Sequence, residues 1–131
     1  MPMLRHVLIA ASIALSLAQA PAWGQAQQNA AATAFDLSLQ RLSEILGALH
    51  YLRNICGANE GQKWRDEMAA LVAAEAQAAD RKARMTAAFN RGYRGFQQNY
   101  RTCTPAADLV IRRYLDEGSK LARDLTARYA N

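Results

Sequence analysis

The residues best suited to bind a ligand are basic and aromatic side chains between positions 81 and 107. This stretch holds six basic residues and no acidic one. Arginine guanidinium groups bind carboxylates and phosphates through paired hydrogen bonds, and tyrosine rings favour protein interfaces. The alternative is an ordinary solvated face whose charges pair with nearby carboxylates. The predicted partner-binding residues are His50, Arg53, Arg91, Tyr93, Arg94, Tyr100 and Arg101.

Residue types that support catalysis or metal binding are sparse. Apart from His6, His50 is the only histidine, and no Glu-x-x-His motif, Ser-His-Asp set or glycine-rich phosphate loop accompanies it. We therefore predict no metal, no cofactor and no enzymatic activity. An alternative for His50 is that it offsets a helix dipole. Glu75 and Glu44 keep open a cell-wall-acting enzyme with a glutamate as acid or base, since burial can raise the pKa of a carboxyl group.

The first 24 residues have the layout of a secretory signal peptide. Arg5 and His6 precede an apolar run over residues 7–17, and small residues follow it. This run is short for a bilayer span, although an uncleaved anchor stays open. We expect cleavage after Gly24. The predicted organisation is a signal peptide at 1–24, a flexible segment at 25–33 and a helical domain at 34–131.

Cys56 and Cys103 are the only two cysteines. An exported protein meets an oxidising compartment, so one intramolecular disulfide is the default expectation. Closing a loop of about 48 residues stabilises a fold by roughly 4 kcal/mol in the chain-entropy model. Two free thiols or an intermolecular bridge are the alternatives. Neither cysteine belongs to a Cys-x-x-Cys pair, which disfavours thioredoxin-like redox chemistry and covalently attached haem.

Length and composition favour one helical domain. The chain has 131 residues, 51% of them hydrophobic, with 16 basic against 11 acidic side chains. It is too apolar to be disordered and leaves little room for a second domain. Removal of Arg5 with the signal peptide leaves 15 basic and 11 acidic residues, a net charge of +4. This charge suits acidic surfaces but is too small to indicate nucleic acid.

Apolar spacing and capping signals predict four helices. Leucines recur at spacings of three and four over residues 34–55, and Gly57 suits the left-handed residue that follows a helix. Thr104 and Pro105 are typical of a helix start. Because disulfide-bonded cysteines need Cα atoms within about 7 Å, the chain must reverse between them, and Asp80 is the predicted N-cap after the reversal. The predicted helices span 34–55, 60–77, 81–101 and 105–129.

Four antiparallel helices would bring both cysteines to one pole, so the sequence predicts an all-α, up-down four-helix bundle. Gly92 lies on the apolar side of the third helix, where it permits a close approach of a neighbour. Gly95 has no packing explanation and is consistent with a kink. The residues expected to face the core are Phe35, Leu39, Leu42, Leu46, Leu49, Trp64, Met68, Leu71, Val72, Ala78, Met85, Phe89, Phe96, Tyr100, Ile111, Leu115, Leu121, Ala122, Leu125 and Tyr129.

Five segments carry a likeness to a known family: RLSEILGALHYLR at 41–53, CG at 56–57, WRD at 64–66, AFNRGYRGF at 88–96 and YRTCTP at 100–105. Together they resemble a family of small exported alphaproteobacterial proteins of unknown function, over about residues 36–129. The resemblance implies an envelope protein of a Gram-negative bacterium, located in the periplasm. It transfers no activity and therefore no catalytic residue.

These observations favour a non-enzymatic periplasmic binding or adaptor protein of the cell envelope. Its expected partner is an envelope protein or an anionic envelope polymer, and not nucleic acid. A helical chaperone-like protein is a further alternative, which the cationic amphipathic helices suggest. Membrane association and oligomeric state are left open.

Overall fold

A computed structural model describes residues 22–129, which form four α-helices and no strand within that range. The predicted all-α class is therefore confirmed. The signal peptide expected at 1–24 falls outside the described residues, except for residues 22–24, which begin the first helix. The helices are α1 at Ala22–Ile55, α2 at Lys63–Glu75, α3 at Ala79–Asn99 and α4 at Pro105–Tyr129.

Helix α1 is the element on which the other three pack. Its backbone approaches those of α2, α3 and α4, whereas no described Cα atom of α4 comes within 8 Å of α2 or α3. The leucine stripe of α1 explains this arrangement, because Leu39, Leu49 and Leu52 are fully buried on its inner side. Burying one such side chain contributes about 1.5–3 kcal/mol to folding.

Helix α4 is also tied to α1 by a pair of hydrogen bonds. Arg41 donates from Nε and Nη2 to the two carboxylate oxygens of Glu117, at 2.6 and 2.9 Å. The same guanidinium lies 5.1 Å from the ring centroid of Tyr114, a cation–π distance. This pair was not predicted from the sequence, because its partners are far apart along the chain.

The predicted core is largely confirmed. Leu39, Leu42, Leu46, Leu49, Met68, Met85, Phe89, Ile111 and Leu125 are buried. Ala78 and Ala122 were predicted to face the core and are exposed. Ala78 lies beyond the end of α2, and Ala122 faces a gap that no described helix covers. The side chain of Tyr129 lies outside the described residues.

The predicted boundaries of α1, α2 and α3 need correction. Helix α1 begins at Ala22 and not at residue 34, because the alanine- and glutamine-rich stretch before residue 34 has good helix propensity although it buries nothing. Residues 25–33 are therefore helical, and their flexibility stays a prediction. Helix α2 is shorter than the predicted 60–77, and α3 ends before residue 101. The start of α4 at Pro105 is confirmed.

The predicted N-cap at Asp80 is wrong. Ala78 is the N-cap residue of α3, without a side-chain cap, and Asp80 lies in the first turn. Its carboxylate instead accepts a hydrogen bond from Arg84 Nη1 at 2.8 Å, one turn further on. At α4 the prediction holds, because Thr104 Oγ1 accepts the Ala107 amide at 3.1 Å.

The Cys56–Cys103 disulfide is present, with Cα atoms 4.8 Å apart. It joins the residue that follows α1 to the short segment between α3 and α4. Gly57 follows with a φ of +76°, the left-handed conformation predicted for it. The two cysteine-bearing segments therefore meet at one end of the molecule, as the disulfide prediction requires.

Candidate functional site

The arginines in the two halves of α3 differ in their ion pairs. In the amino-terminal half, Arg81 Nε lies 2.8 Å from Asp36 Oδ1. Arg84 lies 3.4 Å from Asp36 and 2.8 Å from Asp80. These arginines tie α3 to α1 and to its own first turn. They are therefore occupied by structural contacts.

The arginines in the carboxyl-terminal half of α3 are largely without ion-pair partners among residues 22–129. The one ion pair of Arg91 is long, at 3.8 Å from Nη2 to Glu44 Oε2, and the Arg91 side chain is 58% exposed. Within residues 22–129, neither Arg94 nor Arg101 makes an ion pair. We call Arg91, Arg94 and Gln98, which line one groove on α3, the basic surface. Arg101 follows the end of α3 and does not line this groove. The charges of Arg91 and Arg94 are available to a partner.

Gly95 leaves helix backbone uncovered within the basic surface. A Cβ atom added at this position would meet nothing within 4 Å, so packing does not require glycine here. A shallow groove at this point is lined by Arg91, Arg94, Gln98 and, at its edge, Glu44. Glycine in a helix interior costs about 1 kcal/mol relative to alanine. Close approach of a ligand to the uncovered backbone is a physical reason for a glycine at position 95.

The tyrosines predicted to join this surface are packed into the protein. The Tyr93 ring lies 5.6 Å from His50 and 5.4 Å from Tyr51, the latter edge-on. The Tyr51 hydroxyl donates a hydrogen bond to the carbonyl oxygen of Tyr100. Tyr93 and Tyr100 are only partly exposed. Their rings fix the end of α3 against α1, so the structure does not bring them together with Arg94 as one open face.

His50 is buried within this aromatic cluster, with 6% of its surface exposed. Its Nδ1 makes no hydrogen bond to any described residue. Burial lowers the pKa of the imidazole, and the charge of Arg65 lowers it further. His50 is therefore neutral at pH 7 and does not reach the surface that a partner would touch.

Arg53 holds the turn between α1 and α2 in place. Its Nε donates to Glu60 Oε2 at 2.9 Å, its Nη2 donates to Glu60 Oε1, and Trp64 Nε1 donates to the same carboxylate at 2.5 Å. The hydrogen bond from Arg53 lowers the pKa of Glu60 to about 2. Sequence reasoning missed Glu60; a carboxylate close to Arg53 across a glycine-containing turn was the available signal.

The residues considered for catalysis have structural partners as well. Glu44 lies 3.6 Å from Arg41 and 3.8 Å from Arg91. Glu75 is half-buried, and its main-chain oxygen accepts a hydrogen bond from Arg81 at 3.1 Å. Glu44 therefore lies beside two guanidinium groups.

One group of potential metal ligands occurs among residues 22–129: Cys56, Cys103 and Asp108, whose ligand atoms lie within 4.8 Å of one another. The two sulfur atoms are bonded to each other and are not thiolates. No helix in the described part of the chain is both long and apolar enough to span a bilayer.

A family model described as "Protein of unknown function (DUF2385)" matches residues 34–129. The match confirms the resemblance to an uncharacterised family. No curated protein and no solved structure matches the chain.

Proposed function

The chain belongs to the family of unknown function DUF2385, and we propose that it is a non-enzymatic binding or adaptor protein that contacts an acidic protein partner through the basic surface. The observation that carries this proposal is the division of the arginines of α3. Arg81 and Arg84 each make an ion pair of 2.8 Å, whereas the one ion pair of Arg91 is 3.8 Å long and Arg94 makes none among residues 22–129. Unpaired arginines beside an open helix backbone suit recognition of carboxylates.

The composition of the groove favours a protein over an anionic polymer. Glu44 places a carboxylate at the edge of the same groove that Arg91 and Arg94 line. A protein segment can present an acidic residue to the arginines and an uncharged residue to Glu44, a mixed pattern that a uniformly anionic polymer lacks. The amide of Gln98 offers both a donor and an acceptor to such a segment.

The proposed compartment is the periplasm of an alphaproteobacterium, reached by a signal peptide at 1–24, and the proposed helix order is up-down. An exposed disulfide supports this location, because reducing cytosolic conditions disfavour such bonds. Cys103 is exposed. Mass spectrometry of the mature protein should therefore find an N-terminus at Gln25 and intact Cys56–Cys103. A cytoplasmic protein with an intact N-terminus would contradict the proposed location.

Photocrosslinking in cells tests the function directly. A photoreactive residue at Gln98 lies in the basic surface, and one at Ala83 lies on an exposed position in the amino-terminal half of α3. We expect one discrete protein adduct from position 98 and none of that mass from position 83. A heterogeneous ladder would identify an anionic polymer instead and would contradict a protein partner.

Charge reversal gives the matched control. Arg91→Glu with Arg94→Glu should remove the adduct, whereas Arg123→Glu with Arg128→Glu changes the net charge equally on exposed positions of α4 and should leave it. Unchanged adducts in the first variant would show that the basic surface is an ordinary solvated face.

The same geometry argues against the enzyme alternative. Each carboxylate oxygen of Glu44 faces a guanidinium group, that of Arg41 or that of Arg91, so both oxygens are engaged in structural contacts. Release of muropeptides by the purified protein, lost in Glu44→Gln, would overturn the proposed absence of enzymatic activity.

A further inference from the structure

Helices α2 and α4 both lie on α1 without their backbones reaching each other. The space between them is an open cleft of about 350 Å³. Its floor is formed by Leu42, Leu46 and Leu49 of α1, and its walls include Trp64 and Leu115. We call this cleft the seam. It exposes apolar surface at the position that a further helix would occupy in a bundle.

The seam continues along α1. A second cleft of about 340 Å³ shares Leu42, Leu71 and Ala122 with the first and extends to Leu39 and Leu125. From Leu49 to Leu39 the floor measures about 15 Å, at 1.5 Å per residue. This length corresponds to about three helical turns, which is enough for the i, i+3 or i+4, i+7 anchors of a docked helix, because those anchors span about two turns.

The residues that line the seam favour a helical ligand over an extended peptide segment. The seam presents few polar groups, so an extended chain would leave backbone N–H and C=O groups without partners, whereas a helix satisfies its own. The walls also carry small residues, Ala70, Ser119 and Ala122, which let another helix approach the leucine floor.

A negative charge in the lining of the seam favours a partner with a basic residue. Glu67 lines the cleft and is exposed, and it makes no ion pair within residues 22–129. We propose that the seam binds an amphipathic helix of a partner protein, with apolar residues on the leucine floor and a lysine or arginine beside Glu67. The seam shares no lining residue with the groove of the basic surface. The proposal therefore stands independently of the proposed function, and the protein could hold two partners at once.

The test uses the full chain and a helical peptide of about 14 residues made of leucine, lysine and alanine. Its leucines are placed at i, i+3, i+4 and i+7, and its lysines flank them. We expect binding by fluorescence anisotropy, and no binding of a peptide with the same composition in scrambled order. Ala122→Trp fills the seam from an exposed position and should weaken binding by about tenfold or more. Ala83→Trp adds the same side chain to α3 and should leave it unchanged.

Reversing the charge of Glu67 provides a second test, which does not depend on filling the seam. Glu67→Lys should weaken binding of the lysine peptide about two- to fivefold, the effect of one exposed ion pair. The same variant should strengthen binding of a peptide with glutamates in place of the lysines. Circular dichroism confirms that each variant keeps its helices.

Four results would overturn this proposal. One is no binding of the designed peptide, and another is equal binding to Ala122→Trp. A third is a dimer of the chain that Ala122→Trp abolishes, because a second copy would then occupy the seam. The fourth is full displacement of the peptide by dodecylammonium at equal concentration, which would identify a small amphiphile as the ligand. None of these results depends on Arg91 or Arg94, so failure here is distinguishable from failure of the basic surface.

Discussion

Gly92 of α3 lies directly against the main chain of Glu44 in α1. A Cβ atom added at Gly92 would stand 2.0 Å from the Glu44 carbonyl oxygen. Gly47 makes the reciprocal approach, since a Cβ there would stand 1.9 Å from the carbonyl oxygen of Phe89. The two helices therefore touch backbone to backbone, and the basic surface of α3 has a rigid base.

We predict that Gly92→Ala separates the helices and destabilises the fold. Overpacking typically costs about 1–3 kcal/mol, and here the obstacle is main chain that cannot rotate away. Gly95→Ala is the matched control, because it meets no neighbour and should stabilise the helix by about 1 kcal/mol. Urea unfolding of both variants checks this. Equal stability of the two variants would contradict the close helix contact.

We predict that His50 makes the fold weaker in mild acid. Since burial lowers the pKa of His50 in the folded state, the unfolded chain binds the proton first as the pH falls through about 6.5. The free energy of unfolding should therefore decrease from pH 7 to pH 5.5. The charge of Arg65 also opposes protonation of the imidazole, on which the Tyr93 ring packs.

His50→Leu should remove this dependence, because the variant has no imidazole to protonate. Melting temperatures measured over the same pH range provide the check. A wild-type slope that survives unchanged in His50→Leu would assign the acid sensitivity to other groups.

We predict that Glu60 stabilises the turn before α2 at neutral pH. Its pKa of about 2 lies below the ordinary 4.5, so the stabilisation is complete above pH 4.5 and is lost as the pH falls toward 2. Glu60→Gln should lower the free energy of unfolding by about 1–3 kcal/mol at pH 7, the cost of leaving Arg53 without its partner. The difference from wild type should shrink at pH 3. Glu67→Gln, at an exposed carboxylate, should have little effect at either pH.

We predict that loss of the disulfide destabilises the fold by about 4 kcal/mol, the loop entropy for a separation of 47 residues. Cys56→Ser with Cys103→Ser tests this by urea unfolding, compared with wild type under oxidising and reducing conditions. The reduced wild type and the double variant should agree. A variant as stable as the oxidised protein would show that packing alone holds the pole.

The burial pattern was accessible from the sequence, whereas the pairing of charges was not. Leu39, Leu42, Leu46 and Leu49 repeat at a helical spacing, and a local pattern of this kind is visible in one stretch of chain. The partners of Arg81 and Arg84 include Asp36, which becomes their neighbour only when α3 packs on α1. The prediction therefore treated the arginines of α3 as one set, although the fold uses them in two different ways.

The boundary of α1 and the role of Gly47 show two further limits. Apolar periodicity marks where a helix begins to be buried, so it missed the exposed helical turns that start at Ala22. Gly92 stood out because it lies on the apolar side of the predicted third helix, while Gly47 lies among residues that already favour helix. Only the packing of α1 on α3 distinguishes a glycine that is required from one that is merely tolerated.

Because no described Cα atom of α4 lies within 8 Å of α2, a main-chain shift in one wall of the seam reaches the backbone of the other wall through α1. Substitutions on the two outer helices should therefore combine additively when they lie far apart. With this arrangement, residues on one of these two helices can be changed, by mutation or by design, without compensating changes on the other, as long as α1 is left intact.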